Sequence, residues 1–204
     1  GLSWQQAAKE GAAGLLCFDD LGGASFAADL VVNQNPGAQD LSYDMESGGR
    51  VFARADYVVL RREFRYLKRK TSPGPPRLLV TFGGYDRDNL ALAAMGELAK
   101  LKEPFAATVI CTADARGLEE AKSFATSHEQ KFRVLPPTDM APLMAATDLA
   151  LCAGGTTSLE LASLGVPMVL VTVADNQEPG AAALDGAGCA RLAGRGIGAL
   201  GQAT

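Results

Sequence analysis

The chain has 204 residues, 48% of them hydrophobic, with a formal net charge of −4. That length holds one large or two modest globular domains with a sizeable core, and the acidic balance argues against a general nucleic-acid binder, whose phosphate contacts need a basic face. No stretch approaches the ~20 apolar residues of a membrane helix, and no basic segment followed by a long hydrophobic run opens the chain, so a cytoplasmic protein without a membrane span is expected. Cys17, Cys111, Cys152 and Cys189 lie far apart, with no CxxC pair and no histidine-rich partner. They read as free thiols in a reducing compartment, and no metal is expected. The first residue is Gly1 rather than methionine, which fits a tag scar, processing or an excerpt of a longer protein.

In chain order, Ser3 is placed to cap a short helix through Lys9, Gly11 and Gly14 break it, and residues 15–18 form a buried strand ending at Asp19-Asp20. Leu30-Val31-Val32 is a second strand, followed by the polar loop Asn33-Gln34-Asn35-Pro36-Gly37. Tyr57-Val58-Val59-Leu60 is predicted as a third. The basic residues of 61–70 (Arg61, Arg62, Arg65, Lys68, Arg69, Lys70) read as a solvated helix end running into a linker. Three strands with barely one helix leave a parallel sheet uncovered, so residues 1–70 are expected to be an incomplete N-terminal α/β domain. Residues 71–77, rich in proline and small side chains, read as the linker.

From Leu78 the pattern alternates: strands at 78–82, 106–111, 132–135, 148–152, 167–173 and 190–193, with helices near 88–101, 115–126, 139–146, 157–164 and 177–187. Strands separated by helical stretches need crossovers, and right-handed crossovers build a parallel sheet covered on both faces. Residues 78–204 are therefore predicted to be a Rossmann-like domain, whose ligands bind beyond the C-terminal strand ends.

Two glycine pairs fall at those ends: Gly83-Gly84 after Leu78-Leu79-Val80-Thr81-Phe82, and Gly154-Gly155 after Leu149-Ala150-Leu151-Cys152-Ala153. Glycine lets backbone N–H groups approach a ligand, and a following helix N-terminus offers unpaired donors and partial positive charge, so each turn is a candidate anion site. Thr156, Thr157 and Ser158 add hydroxyl donors, although Thr156 equally suits a helix cap. Glu160 is favoured by the helix dipole whatever its role, and it also suits a ribose diol. Asp175-Asn176-Gln177-Glu178 would emerge at the same rim, where the amides suit sugar hydroxyl and N-acetyl groups and Asp175 or Asn176 could instead cap a helix. Asp86 or Asp88 is the expected cap of the helix beginning near Asn89, and Tyr85 either stacks on a ligand or covers the sheet end. His128, the sole histidine, belongs to a turn facing away from that rim, and Asp19-Asp20 are explained by a strand-ending turn.

The block Ala153-Gly154-Gly155-Thr156-Thr157-Ser158-Leu159-Glu160-Leu161-Ala162-Ser163-Leu164-Gly165-Val166-Pro167, followed by Asn176-Gln177, resembles the C-terminal domain of GT-B fold sugar-nucleotide enzymes. With Phe18-Asp19-Asp20, Leu30-Val31-Val32-Asn33-Gln34-Asn35 and Leu60-Arg61-Arg62-Glu63-Phe64, the chain resembles the hydrolase family of pseudaminic acid biosynthesis, which removes UDP from a diacetamido-trideoxy sugar nucleotide. The glycine–glutamate block is shared with MurG-like transferases and spore-coat polysaccharide relatives. The resemblance implies that Gly154, Gly155, Thr156 and Thr157 hold the diphosphate and Glu160 the ribose. It also implies that Asn176 and Gln177 contact the sugar, with Asn176 assisting catalysis, and that Gly83 and Gly84 face the phosphates. It implies a UDP-sugar partner, no cofactor and no metal, with water attacking the anomeric carbon.

Two features depart from that family. Tyr85 stands where members carry a small hydroxyl residue, and the glycine-rich segment bearing the water-activating histidine is expected upstream of where Gly1 aligns. On that reading the present 204 residues lack an N-terminal part and, by themselves, bind the nucleotide without hydrolysing it. A glycosyltransferase and a noncatalytic nucleotide-sugar module are the alternative readings.

Overall fold

The computed structural model describes residues 1–46, 48–70, 72–84, 86, 88–112, 114–196 and 198. The chain divides into two compact units, Gly1–Val59 and Leu60–Thr204.

In the first unit, helix α1 (Leu2–Lys9) starts one residue before Ser3, with Gly1 at the cap position and no capping side chain. Strands β1 (Leu16–Phe18), β2 (Ser25–Phe26), β3 (Leu30–Asn33), β4 (Asp44–Met45) and β5 (Arg50–Ala53) come next. They form a three-stranded parallel sheet in the order β1-β3-β5 and a two-stranded one, β2-β4. The third strand predicted at 57–60 is not formed. A 3-10 turn occupies Ala55–Tyr57, and the partner of β3 is β5, whose alternation Arg50-Val51-Phe52-Ala53 is too short and mixed to stand out in the sequence. Asp19 accepts from the N–H groups of Leu21 and Gly22 at 3.2 and 2.6 Å, as a strand-ending turn requires. Leu16, Phe18 and Leu21 are exposed.

The second unit begins at Leu60, upstream of the proline-rich segment. Phe64 is buried among Leu79, Leu161, Leu164 and Val166, with Leu60 and Leu67 packed alongside. Arg69 donates to the carbonyls of Asp148 and Gly165, both at 3.0 Å. Residues 60–70 are thus fastened to the second unit by apolar anchors and carbonyl-directed hydrogen bonds. They are not a solvated helix end; their one regular piece is a 3-10 turn, Arg62–Arg65.

The remaining elements are β6 (Arg77–Thr81), α2 (Leu90–Ala99), β7 (Ala106–Ile110), α3 (Ala115–Ser127), β8 (Phe132–Leu135), α4 (Met140–Ala145), β9 (Leu149–Ala153), α5 (Thr156–Ser163), β10 (Met168–Thr172), α6 (Glu178–Gly186) and β11 (Ala190–Arg195). All six strands run parallel in the order β11-β10-β9-β6-β7-β8. Successive strands therefore build outward first on one side of β6 and then on the other, giving the doubly wound arrangement with its topological switch between β6 and β9. Alternation along β6 explains the two-faced burial. Leu78 and Val80 pack with α2 and α3 residues Ala94, Met95 and Ala121, while Leu79 packs with Met144, Leu161 and Leu184 of α4, α5 and α6.

Candidate functional site

The register fixes the rim. Leu78 pairs with Leu149 and Thr81 with Cys152, so Gly83 and Gly154 leave adjacent strands at one level. Val171 of β10 pairs with Ala153, which brings the turn bearing Asn176 and Gln177 beside the second glycine pair. Gly83, Gly84, Gly154, Gly155, Thr156, Thr157, Asn176 and Gln177 are thus gathered along the C-terminal ends of β6, β9 and β10. Tyr85 lies outside the described residues.

The two turns part ways after their glycines. At the end of β9, Gly155 occupies the cap position of α5 and no side chain caps the helix. Thr156 is an exposed first helical residue and not the cap. Ser158 directs its hydroxyl back to the Gly155 carbonyl at 2.7 Å, and its N–H reaches the same oxygen at 2.9 Å. Ser158 therefore closes the turn; its hydroxyl hydrogen is not available to a ligand. The N–H groups of Thr156 and Thr157 have no hydrogen-bond partner among the described residues. They are open donors at the positive end of a helix dipole.

After β6 the helix end is closed. Asp86, 3% exposed, accepts from the N–H groups of Leu90 and Ala91, each at 2.8 Å. Its carboxylate fills the N-terminus of α2, so this turn offers an anion no helix end, contrary to the symmetrical expectation for the two pairs. Gly83 has φ +91, which glycine alone adopts readily, and its carbonyl accepts from the Thr112 hydroxyl at 2.9 Å.

Glycine is needed for different reasons along the rim. A Cβ on Gly154 would lie 3.3 Å from Cβ of Ala181, so close helix packing sets that position. A Cβ on Gly84 would meet nothing within 4 Å, and one on Gly155 would meet only Nε2 of Gln177, at 4.0 Å. Their missing side chains clear space outside the protein. Gln177 accepts from the Val173 N–H at 3.0 Å through Oε1, which turns its NH2 group toward Gly155. Asn176 is exposed beside it. Asp175 caps nothing; it pairs with Arg195, which also reaches Glu178 at 3.2 Å.

Glu160, on the second turn of α5, is buried at 7% exposure and is held by Arg61. Arg61 Nε lies 2.8 Å from Oε1, and Nη2 lies 3.2 Å from Oε2. This hydrogen-bonded pairing raises the Arg61 pKa above its ordinary value. No local pattern marks the partner, because the pair spans residues 61 and 160 and Arg61 sits inside a run of similar charges. Burial pushes the Cys152 thiol up to about 12, which makes it inert as a nucleophile despite its place near the rim. His128 stacks on Phe124 with ring centroids 4.4 Å apart and lies before β8, at the end of the sheet away from the rim.

The glycosyltransferase family 28 C-terminal domain matches residues 77–193. An uncharacterized protein of Methanocaldococcus jannaschii is 28% identical over 155 residues, covering 71% of this chain and 32% of that protein. The spore coat polysaccharide biosynthesis protein SpsG of Bacillus subtilis is 26% identical over 173 residues, covering 80% of this chain and 50% of SpsG. The crystal structure of Acinetobacter baumannii MurG matches with a TM-score of 0.68 at 21% identity, over 98% of this chain and 59% of MurG. The fold is α/β and GT-B-like, and the matched part amounts to a third to a half of the curated relatives' length. Among the described residues, no helix is long and apolar enough to cross a membrane.

Proposed function

This chain carries the glycosyltransferase family 28 C-terminal domain and belongs to that family, and on that basis we propose that its second unit binds a UDP-sugar, with the diphosphate at the start of α5. The observation that carries this reading is the uncapped helix at the topological switch point, where Thr156 and Thr157 present free N–H groups beside Gly154-Gly155. Gly83 and Gly84 approach the same ligand with backbone alone. Glu160 takes the ribose, and Gln177 and Asn176 take the sugar.

In the whole enzyme the reaction is hydrolysis. Water attacks the anomeric carbon, the bond from that carbon to the β-phosphate oxygen breaks, and UDP leaves with the electron pair. Charge grows on the departing diphosphate in the transition state, which is where fixed backbone donors lower a barrier. Asn176 assists at the anomeric carbon. A diacetamido-trideoxy sugar is the proposed substrate, and surface-polysaccharide or nonulosonic acid synthesis in the cytoplasm is the proposed setting. The family match favours a second reading, transfer of the sugar to an acceptor hydroxyl, because donor recognition is common to both.

Calorimetric titration with UDP tests the binding step, and saturable binding at micromolar to millimolar concentration is expected. No binding at millimolar UDP overturns the reading. Incubation with the UDP-sugar then separates the chemistries: free sugar plus UDP means water is the acceptor, and a new glycosidic bond means transfer. The 204 residues by themselves are expected to bind without turnover, since their one histidine lies away from the rim.

A further inference from the structure

We infer that Arg61 is a positioning residue for nucleoside recognition: its guanidinium holds the buried Glu160 carboxylate by one N–H to each oxygen and leaves an outer acceptor position for a ribose hydroxyl. The inference rests on the UDP-sugar reading above and adds to it a residue outside the matched domain, residues 77–193.

Two contacts besides Glu160 fix the guanidinium itself. Nη1 lies 3.2 Å from Glu63, the group stands over the Phe64 ring at 5.0 Å from its centroid, and Phe64 is anchored in the core beneath α5. The 3-10 turn Arg62–Arg65 that starts after Arg61 makes these contacts local, so the cation is set in place before it meets Glu160. The pairing is lopsided. The Arg61 side chain is 45% exposed, whereas that of Glu160 is 9% exposed. A carboxylate so deeply withdrawn from water is costly to bury without a partner, and a forked, planar one also sets its orientation.

Each carboxylate oxygen has about two acceptor sites. Arg61 uses one on each, at 2.8 and 3.2 Å. What remains is the outer acceptor of each oxygen, on opposite flanks of the carboxylate, so a ribose hydroxyl meets Glu160 at a flank while the fork holds its inner edge. Glu160 lies roughly 7 Å along the axis of α5 from the cap position, at 1.5 Å per residue, so a ligand gripped at Thr156 and Thr157 by its diphosphate extends its ribose toward this carboxylate. A lysine at position 61 keeps the charge but loses the fork.

The test compares UDP with 2′,3′-dideoxy-UDP, using wild type and Arg61→Lys in the 204-residue chain. Wild type is expected to prefer UDP by about tenfold or more, the worth of hydrogen bonds to a charged acceptor. Arg61→Lys is expected to remove most of that preference while leaving dideoxy-UDP affinity within about twofold. Equal loss for both nucleotides, or an unchanged preference, overturns the inference and leaves UDP binding standing. Failure of the wild type to bind UDP overturns the reading beneath it and the inference together.

A measurement on the wild type decides the matter if the lysine variant does not fold. In protein labelled with 15N-arginine, the Nε–H resonance of Arg61 is to be followed during UDP addition, assigned by through-space contacts to the Phe64 ring. Its persistence is expected. Its loss to rapid exchange would mean that Arg61 leaves Glu160 when the nucleotide arrives, which overturns a positioning role.

Discussion

Gly83-Gly84 and Gly154-Gly155 look alike in sequence and leave neighbouring strands of one sheet, yet the chain finishes them differently. Beyond the first pair it travels as far as Leu90 before a helix starts, and Asp86 folds a carboxylate under that helix with two 2.8 Å hydrogen bonds. Beyond the second pair the helix starts at once, at Thr156, with only glycine at its cap. A helix end can be stabilised by the protein or left for a ligand. Here the switch point has one of each, and the proposed function places its diphosphate at the second.

Replacing Asp86 by alanine breaks this contrast most severely. It leaves two buried N–H groups without their charged acceptor and is expected to cost about 3 kcal/mol of folding stability, read as a lowered urea midpoint. UDP affinity of the folded fraction should stay within about twofold. Loss of binding with intact stability would mean that the first turn, too, is a ligand site.

Gly155→Ala sharpens the contrast from the other side. The residue has φ −116 and ψ −161, which alanine accepts, and its Cβ meets no protein atom closer than 4.0 Å. Stability is expected to change by no more than about 0.5 kcal/mol, and UDP affinity to fall about tenfold, or ~1.4 kcal/mol, because the methyl group enters the ligand's space. An unchanged titration curve would empty that space of its proposed occupant.

The smallest effect concerns the opposite ends of the same two strands. Asp148 accepts from the Arg77 side chain and from its backbone N–H, pinning the start of β9 to the start of β6. The Arg77 contacts hold the Asp148 carboxyl down at about 2, against an ordinary 3.8. A carboxyl lowered in the folded state stabilises it fully above the unfolded value and loses that effect as pH falls through the folded one. The advantage of wild type over Asp148→Asn should therefore be constant above about pH 5 and shrink between about pH 4 and 2, in denaturation curves measured across that range. A pH-independent difference would contradict the pairing.

Much of the second unit is legible in the sequence because its signals are local. Hydrophobic runs such as 78–82 and 149–153 alternate with helical segments, and the crossover rule turns them into a parallel sheet whose glycine turns share a rim. Asp86 is legible as a cap candidate for the same reason. Features made by distant partners are not. The division of the chain after Val59 depends on Phe64 reaching the core under α5, and the Arg61–Glu160 pair joins residues far apart in sequence. Proline and charge around residues 61–77 mark irregular backbone and suggest a boundary, although irregular backbone can still be firmly attached. Ser158 shows the limit of reading side chains by type: a hydroxyl in a glycine turn suggests a ligand donor, and its nearest acceptor is the turn's own carbonyl.

The most direct test tracks backbone amides during UDP titration in 15N-labelled protein. Large, saturable shifts are expected at Thr156 and Thr157, with Leu90 and Ala91 little moved because Asp86 already holds them. Shifts confined to Leu90 and Ala91, or none at Thr156 and Thr157 under saturating UDP, would contradict a diphosphate site at the start of α5.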